Sequence, residues 1–238
     1  MRRSLLGAAL ACLCLLARPL AAGTRIAVDA GHGGGDKGSV AGSQVEKDWT
    51  LKFTKALTQS LTSAGYDVTA VRVKDDLIPY DKRFEILNTA GAAVALILHA
   101  DRESTGKTRG PFFVVQPPQS GTPASDEGLP EAGSLPLSRY KQSLQLARQL
   151  ALATGVSPKF SPLSDPRALA GDVSSPDGRI LAVPHQSLRY IALPAVVIEP
   201  LFLTNPEDLE LFGTDAAIQA FAQKITQGLG AYLRGEGK

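Results

Sequence analysis

What most constrains this chain is a set of apolar runs, several of which end on a titratable side chain. Arg25 to Val28, Tyr66 to Val73, Ala93 to Leu98 and Ala195 to Ile198 are rich in β-branched and aliphatic residues and read as buried strands, with Phe112 to Val115 a fifth. Strands that are apolar throughout need cover on both faces, and helical spacings lie between them. Trp49, Phe53, Leu57 and Leu61 recur every four residues as one stripe that Gly65 ends. Asp81 to Ala90, Leu135 to Ala153 and Ala216 to Leu233 are further predicted helices. Alternation of this kind predicts an α/β fold: one domain with a mostly parallel, twisted central sheet flanked by helices. The segments 116–134 and 156–178 carry no periodicity and are expected to be irregular surface loops.

The N-terminus has a different character. Arg2 and Arg3 precede the apolar run Leu5 to Ala17, and "RPLAAG" follows, the pattern of a signal peptide over residues 1–22, cleaved near Ala22. The run is shorter than the roughly 20 residues that span a bilayer, so no membrane span is expected after cleavage. Cys12 and Cys14, the chain's 2 cysteines, both fall in this segment, so the mature domain, residues 23–238, has neither thiol nor disulfide. Cleavage removes three arginines from 25 basic side chains and no acid, leaving 22 against 23 acidic ones. That near-neutral balance gives no basic footprint for nucleic acid. An exported protein is expected, in the periplasm, cell envelope or extracellular space.

The stretch "IAVDAGHGGGDKG" places His32 directly after the first strand, among glycines that let the backbone turn sharply. "AVALILHAD" places His99, and "AVVIEP" places Glu199, at the ends of two other strands. In an open α/β sheet, ligands bind in the crevice outside the carboxyl ends of the strands, so the three groups converge if these strands are neighbours. Of the 3 histidines, His185 in "AVPHQS" lacks a long preceding strand and reads as a loop or surface residue. Glu46 lies three residues before Trp49 and shares its helix face. "SQVE", Ser43 to Glu46, also fits a capping box, in which Glu46 would satisfy backbone amides.

Taken with two strand-end histidines, Glu46 is better read as a metal ligand. Two imidazoles and a carboxylate form the donor set of catalytic zinc, which leaves a position open for water. His32, Glu46 and His99 are therefore the candidate ligands of one Zn2+ per chain. Glu199 is the candidate catalytic carboxylate that takes a proton from water and passes it to a leaving amine, with a fourth ligand or a buried ion-pair partner as its alternatives. Asp29, Asp36 and Asp101 are expected to orient the histidines or brace the loops.

These residues resemble those of the zinc-dependent N-acetylmuramoyl-L-alanine amidases of bacteria, which have a phosphorylase-like α/β fold. The resemblance runs through "VDAGHGGGDKG", "EKDWTLKFTKAL", "YDKRFEILNTAGAAVALILHAD" and "PAVVIEPLFLTNPEDLELF", in order, and covers the chain from Arg25 onward. It implies that His32, Glu46 and His99 hold zinc and that Glu199 is catalytic. The implied reaction cuts the amide between N-acetylmuramic acid and the L-alanine of the peptidoglycan stem peptide. Arg83 and Asn88 match a helix motif of that family, with a structural or a glycan-contacting role. Two positions depart from the pattern: Ala-Asp follows His99 where many members have Ala-Asn, and Pro-Leu-Phe follows Glu199 where a glycine commonly precedes the Phe. A monomer acting on peptidoglycan is expected; no wall-binding repeat is visible, and the sequence does not identify a protein activator. The alternative from a different class is a catalytically inactive relative that binds peptidoglycan or regulates another hydrolase. A nucleotide-binding domain built on the glycine loop fits poorly, because "GHGGGDKG" lacks the Gly-Lys-Ser/Thr ending of a phosphate loop, and no G-x-S-x-G elbow supports a serine hydrolase.

Overall fold

The computed structural model describes residues 23–118, 137–156, 160–161 and 179–236. The predicted signal peptide lies outside these residues, as does most of segment 116–134. Strand β1 (Arg25–Ala30) leads into a short hairpin, β2 (Val40–Ala41) and β3 (Gln44–Val45), and then helix α1 (Glu46–Ser63). There follow β4 (Asp67–Ala70), α2 (Tyr80–Thr89), β5 (Val94–Leu98), β6 (Phe112–Val115) and α3 (Leu137–Thr154). The two-residue β7 (Phe160–Ser161), then β8 (Ile180–Ala182), β9 (Ala195–Glu199), α4 (Pro206–Leu211) and α5 (Asp215–Leu233) complete the chain.

Among the described residues the main sheet has the order β4-β1-β5-β9-β6-β8-β7. β4, β1, β5 and β9 run parallel, and β6 pairs antiparallel with β9 and parallel with β8. From β1 the chain moves first to β4 on one side and then to β5 on the other. The order therefore reverses between β1 and β5, which is where a crevice opens in sheets of this kind. Both covering layers follow from the period-2 alternation of strand side chains. Ile26, Val28, Leu96, Leu98, Val196 and Ile198 share one core with residues of α1, α3 and α5. Ala27, Ala95, Ile97 and Val197 share the other with Phe84 and Leu87 of α2 and with Leu188 and Ile191.

The long periodic segments match their expected elements within a few residues. Tyr66 to Val73 shortens to β4, because Arg72 turns inward and buries its guanidinium beneath the loop after β1. The helix expected from Leu135 is described from Leu137. Asn205 accepts hydrogen bonds from the amides of Glu207 and Asp208 with Pro206 at the first helical position, the expected cap of α4. β8 and the β2–β3 hairpin were not expected, and β7 falls inside a segment expected to be irregular. At two or three residues each, these pieces are too short to show a period. No described helix is long and apolar enough to cross a membrane.

Candidate active site

The loop after β1 is held in a conformation that most side chains avoid. His32 has φ 63°, the positive-φ position among non-glycine described residues, and such a backbone costs an L-residue about 1–2 kcal/mol. Two buried arginines over-determine it. Arg72 donates to the carbonyls of Ala30 and Gly31, both at 3.0 Å, and to that of Lys47 at 2.9 Å. Arg83, from α2, pairs with Asp29 at 2.6 Å and donates to the carbonyls of Ala30 and His32. Asp36 Oδ2 lies 2.8 Å from His32 Nδ1, which leaves Nε2 to face the crevice.

Glu46 opens α1, with Val45 as an N-cap that makes no side-chain bond. The capping box is therefore not formed: Ser43 lies in the turn between β2 and β3. The Glu46 carboxylate points instead toward both histidines, with Oε1 2.8 Å from His99 Nδ1 and 3.2 Å from His32 Nε2. The amides of Ala100 and Ser39 donate to its two oxygens at 3.1 and 2.7 Å. His99 follows β5, and its Nε2 lies 3.0 Å from Ser187 Oγ. One donor atom from each of His32, Glu46 and His99 falls within 4.8 Å of the others.

Burial alone would raise the pKa of Glu46, but its hydrogen bonds and charge interactions with His32 and His99 overcome this and hold the carboxyl well below its usual range. Burial would likewise lower His32, and Glu46 followed by Asp36 raises it instead. Glu199 ends β9 beside His99, whose amide donates to the Ile198 carbonyl at 3.0 Å. Its Oε2 is buried with no hydrogen-bond partner among the described residues. Burial, then the charges of Asp101 and Glu46, push this carboxyl well above the ordinary value. All four residues line one open cleft of about 670 Å³.

The sequence pattern that defines the N-acetylmuramoyl-L-alanine amidase family matches residues 26–231. The chain belongs to that family. AmiA of Salmonella typhimurium is 26% identical over 228 residues, covering 87% of this chain and 75% of that protein. AmiA of Escherichia coli is 27% identical, covering 89% and 77%. Among solved structures, the N-acetylmuramoyl-L-alanine amidase of Clostridium difficile 630 is 23% identical, covers 91% of this chain and 100% of its own, and superposes with a TM-score of 0.67. The CwlD amidase of Clostridioides difficile, solved in complex with the GerS lipoprotein, is 19% identical, covers 90% and 100%, and has a TM-score of 0.66.

Within this amidase fold the alternatives left for several residues are decided. His185 is a loop residue, as expected, between β8 and residues 186–188, but the loop lines the cleft, and the His185 ring centroid lies 5.3 Å from that of His99. Burial, reinforced by His99, lowers its pKa to about 3. Asp29 makes no hydrogen bond to a histidine and takes the second of its expected roles, pairing on the α2 face of the sheet with the Arg83 that braces the His32 loop. Asp101 likewise makes no hydrogen bond to either histidine and bonds the backbone of its own loop, the other role expected of it. It lines the cleft, and its side chain accepts from the Arg102 amide. Its carboxyl is pushed up to about 6 by burial. Arg83 is buried beneath the His32 loop, and Asn88 ties α2 to the backbone of Tyr190 and Ala192, so both have structural contacts. Sequence reading missed Arg72 and Ser187. An arginine inside the run Tyr66 to Val73 was a usable signal, since a buried guanidinium must find acceptors, whereas nothing in the sequence marks Ser187.

Proposed function

We propose that this chain is an exported zinc hydrolase that cleaves the amide between N-acetylmuramic acid and the L-alanine of the peptidoglycan stem peptide. The observation that carries the reading is the meeting of His32, Glu46 and His99 within 4.8 Å, in a cleft that also holds an unpartnered Glu199 oxygen. The donor set fits zinc: two imidazole nitrogens and a carboxylate, with each ligand side chain fixed by a further contact through Asp36, Ser39 or Ser187. Zinc bound there would supply a Lewis acid that polarises the carbonyl and lowers the pKa of water.

The chain's own residues then divide the remaining work. Glu199, held above the usual carboxylate range, suits a group that must both take a proton and return it. It removes a proton from water as the oxygen–carbon bond forms, and delivers it to the alanine nitrogen as the carbon–nitrogen bond breaks. The products are the free lactyl carboxylate and a stem peptide with a free α-amine. The open cleft admits a polymeric substrate, and residues 1–22 supply the signal peptide that takes residues 23–238 to the wall.

The test is digestion of purified peptidoglycan by residues 23–238, with and without chelator, followed by identification of the new ends. Peptides beginning with free L-alanine, abolished by chelation and restored by zinc, are the expected result. Binding to peptidoglycan without release of such peptides refutes the hydrolase and supports the inactive relative.

A further inference from the structure

His185 lies outside the trio and the Glu199 role, yet it is held as firmly as either. Its amide donates to Oε1 of buried Gln116 at 3.1 Å. Its Nδ1 accepts from the Ser187 amide at 3.2 Å, where it caps the 3-10 turn Gln186–Leu188. An imidazole whose Nδ1 accepts carries its proton on Nε2 when neutral. Among the described residues no group bonds that Nε2, nor does it count among the buried unpartnered atoms. The same turn presents Ser187 Oγ to His99 Nε2 at 3.0 Å, so one rigid segment both orients a member of the trio and sets the His185 ring against the cleft.

We infer that His185 is a further catalytic residue of the proposed amide hydrolysis, its Nε2–H donating a hydrogen bond to the scissile carbonyl oxygen. That oxygen gains negative charge as water adds to the carbon, and a donor fixed before the reaction begins stabilises it without reorganisation. The proton stays on His185 throughout, and Glu199 carries the proton that moves. Tyr80 and Arg102 also line the cleft with donors. Arg102 is exposed, and among the described contacts neither is anchored to a member of the trio. Capping the turn accounts for Nδ1 alone and leaves the placement of Nε2 unexplained.

This inference rests on the hydrolase reading, and the experiment separates the two. Wild type, His185→Ala, His185→Gln and His185→Asn are compared on a soluble muramoyl-peptide, with zinc content and thermal midpoint measured for each. Asn reproduces the capping acceptor but not the reach of Nε2, whereas Gln reproduces the distal N–H. His185→Ala should lower kcat about 10²–10³-fold, with KM changed less than about threefold and one zinc retained. Gln should recover at least about tenfold of that loss, and Asn none. Histidine ¹⁵N spectra of the wild type should show His185 protonated at Nε2 only. The assignment is overturned if His185→Ala keeps kcat within about threefold, if Asn restores activity and Gln does not, or if activity is lost in step with zinc. A wild type that releases no alanine-ended peptide refutes the hydrolase reading itself, and the His185 role falls with it.

Discussion

Gly38 gives the sharpest test of the metal centre. It sits at φ +64°, and a Cβ built there would lie 2.6 Å from Glu46 Oε2, 2.6 Å from His32 Cδ2 and 2.8 Å from His32 Cγ. In Gly38→Ala the nearer two, Glu46 Oε2 and His32 Cδ2, must retreat by about 0.8 Å, from 2.6 Å to the 3.4 Å of ordinary contact. Metal sites tolerate departures of about 0.2 Å from ideal ligand distances, so the displacement is about four times what a bound ion accepts. Zinc affinity should fall at least about 100-fold, the upper end of what disturbing a ligand's support costs. The left-handed backbone adds about 1–2 kcal/mol of destabilisation. Gly35→Ala is the control in the same loop, since nothing lies within 4 Å of its Cβ and its φ is not in the positive range. Zinc is titrated against a chromophoric chelator, with the thermal midpoint recorded alongside. If Gly38→Ala holds zinc as tightly as Gly35→Ala, His32 and Glu46 do not share an ion.

Three further predictions bear on the same centre. Glu199→Gln should keep one zinc per chain while kcat on muramoyl-peptide falls about 10²–10⁴-fold; an active variant removes Glu199 from the chemistry. Arg72→Met removes one donor each from the carbonyls of Ala30, Gly31 and Lys47, which keep Arg83 or Thr50 as a second, and should destabilise the fold by about 1–3 kcal/mol in urea titrations, with zinc affinity reduced as the His32 loop relaxes. In the metal-free protein the His32 pKa is raised by Glu46 and Asp36 against the effect of burial. Its stabilising contribution is thus fully present below the unfolded value of about 6.5 and is lost as pH rises through the folded value. The thermal midpoint of chelated protein should drop from pH 6 to pH 9, and zinc-loaded protein should lack that drop; parallel profiles would contradict it.

The residue pattern by itself determined the fold class, because strand and helix periods persist over long apolar segments and burial enforces them. It also placed His32, His99 and Glu199 at strand ends, since an apolar run that stops on a titratable group marks where the sheet meets water. What it left open was the choice between two satisfactions of one carboxylate. "SQVE" is locally consistent with a cap, and only the hairpin of β2 and β3 carries Ser43 away and turns Glu46 toward two imidazoles. The tertiary structure alone decided the roles of Arg72, Arg83, Ser187 and His185. Each works through partners tens of residues away, Arg72 on the carbonyls of 30 and 31 and His185 beside His99. Contacts at such separation leave no periodic trace, because the chain must fold before the groups that define them meet.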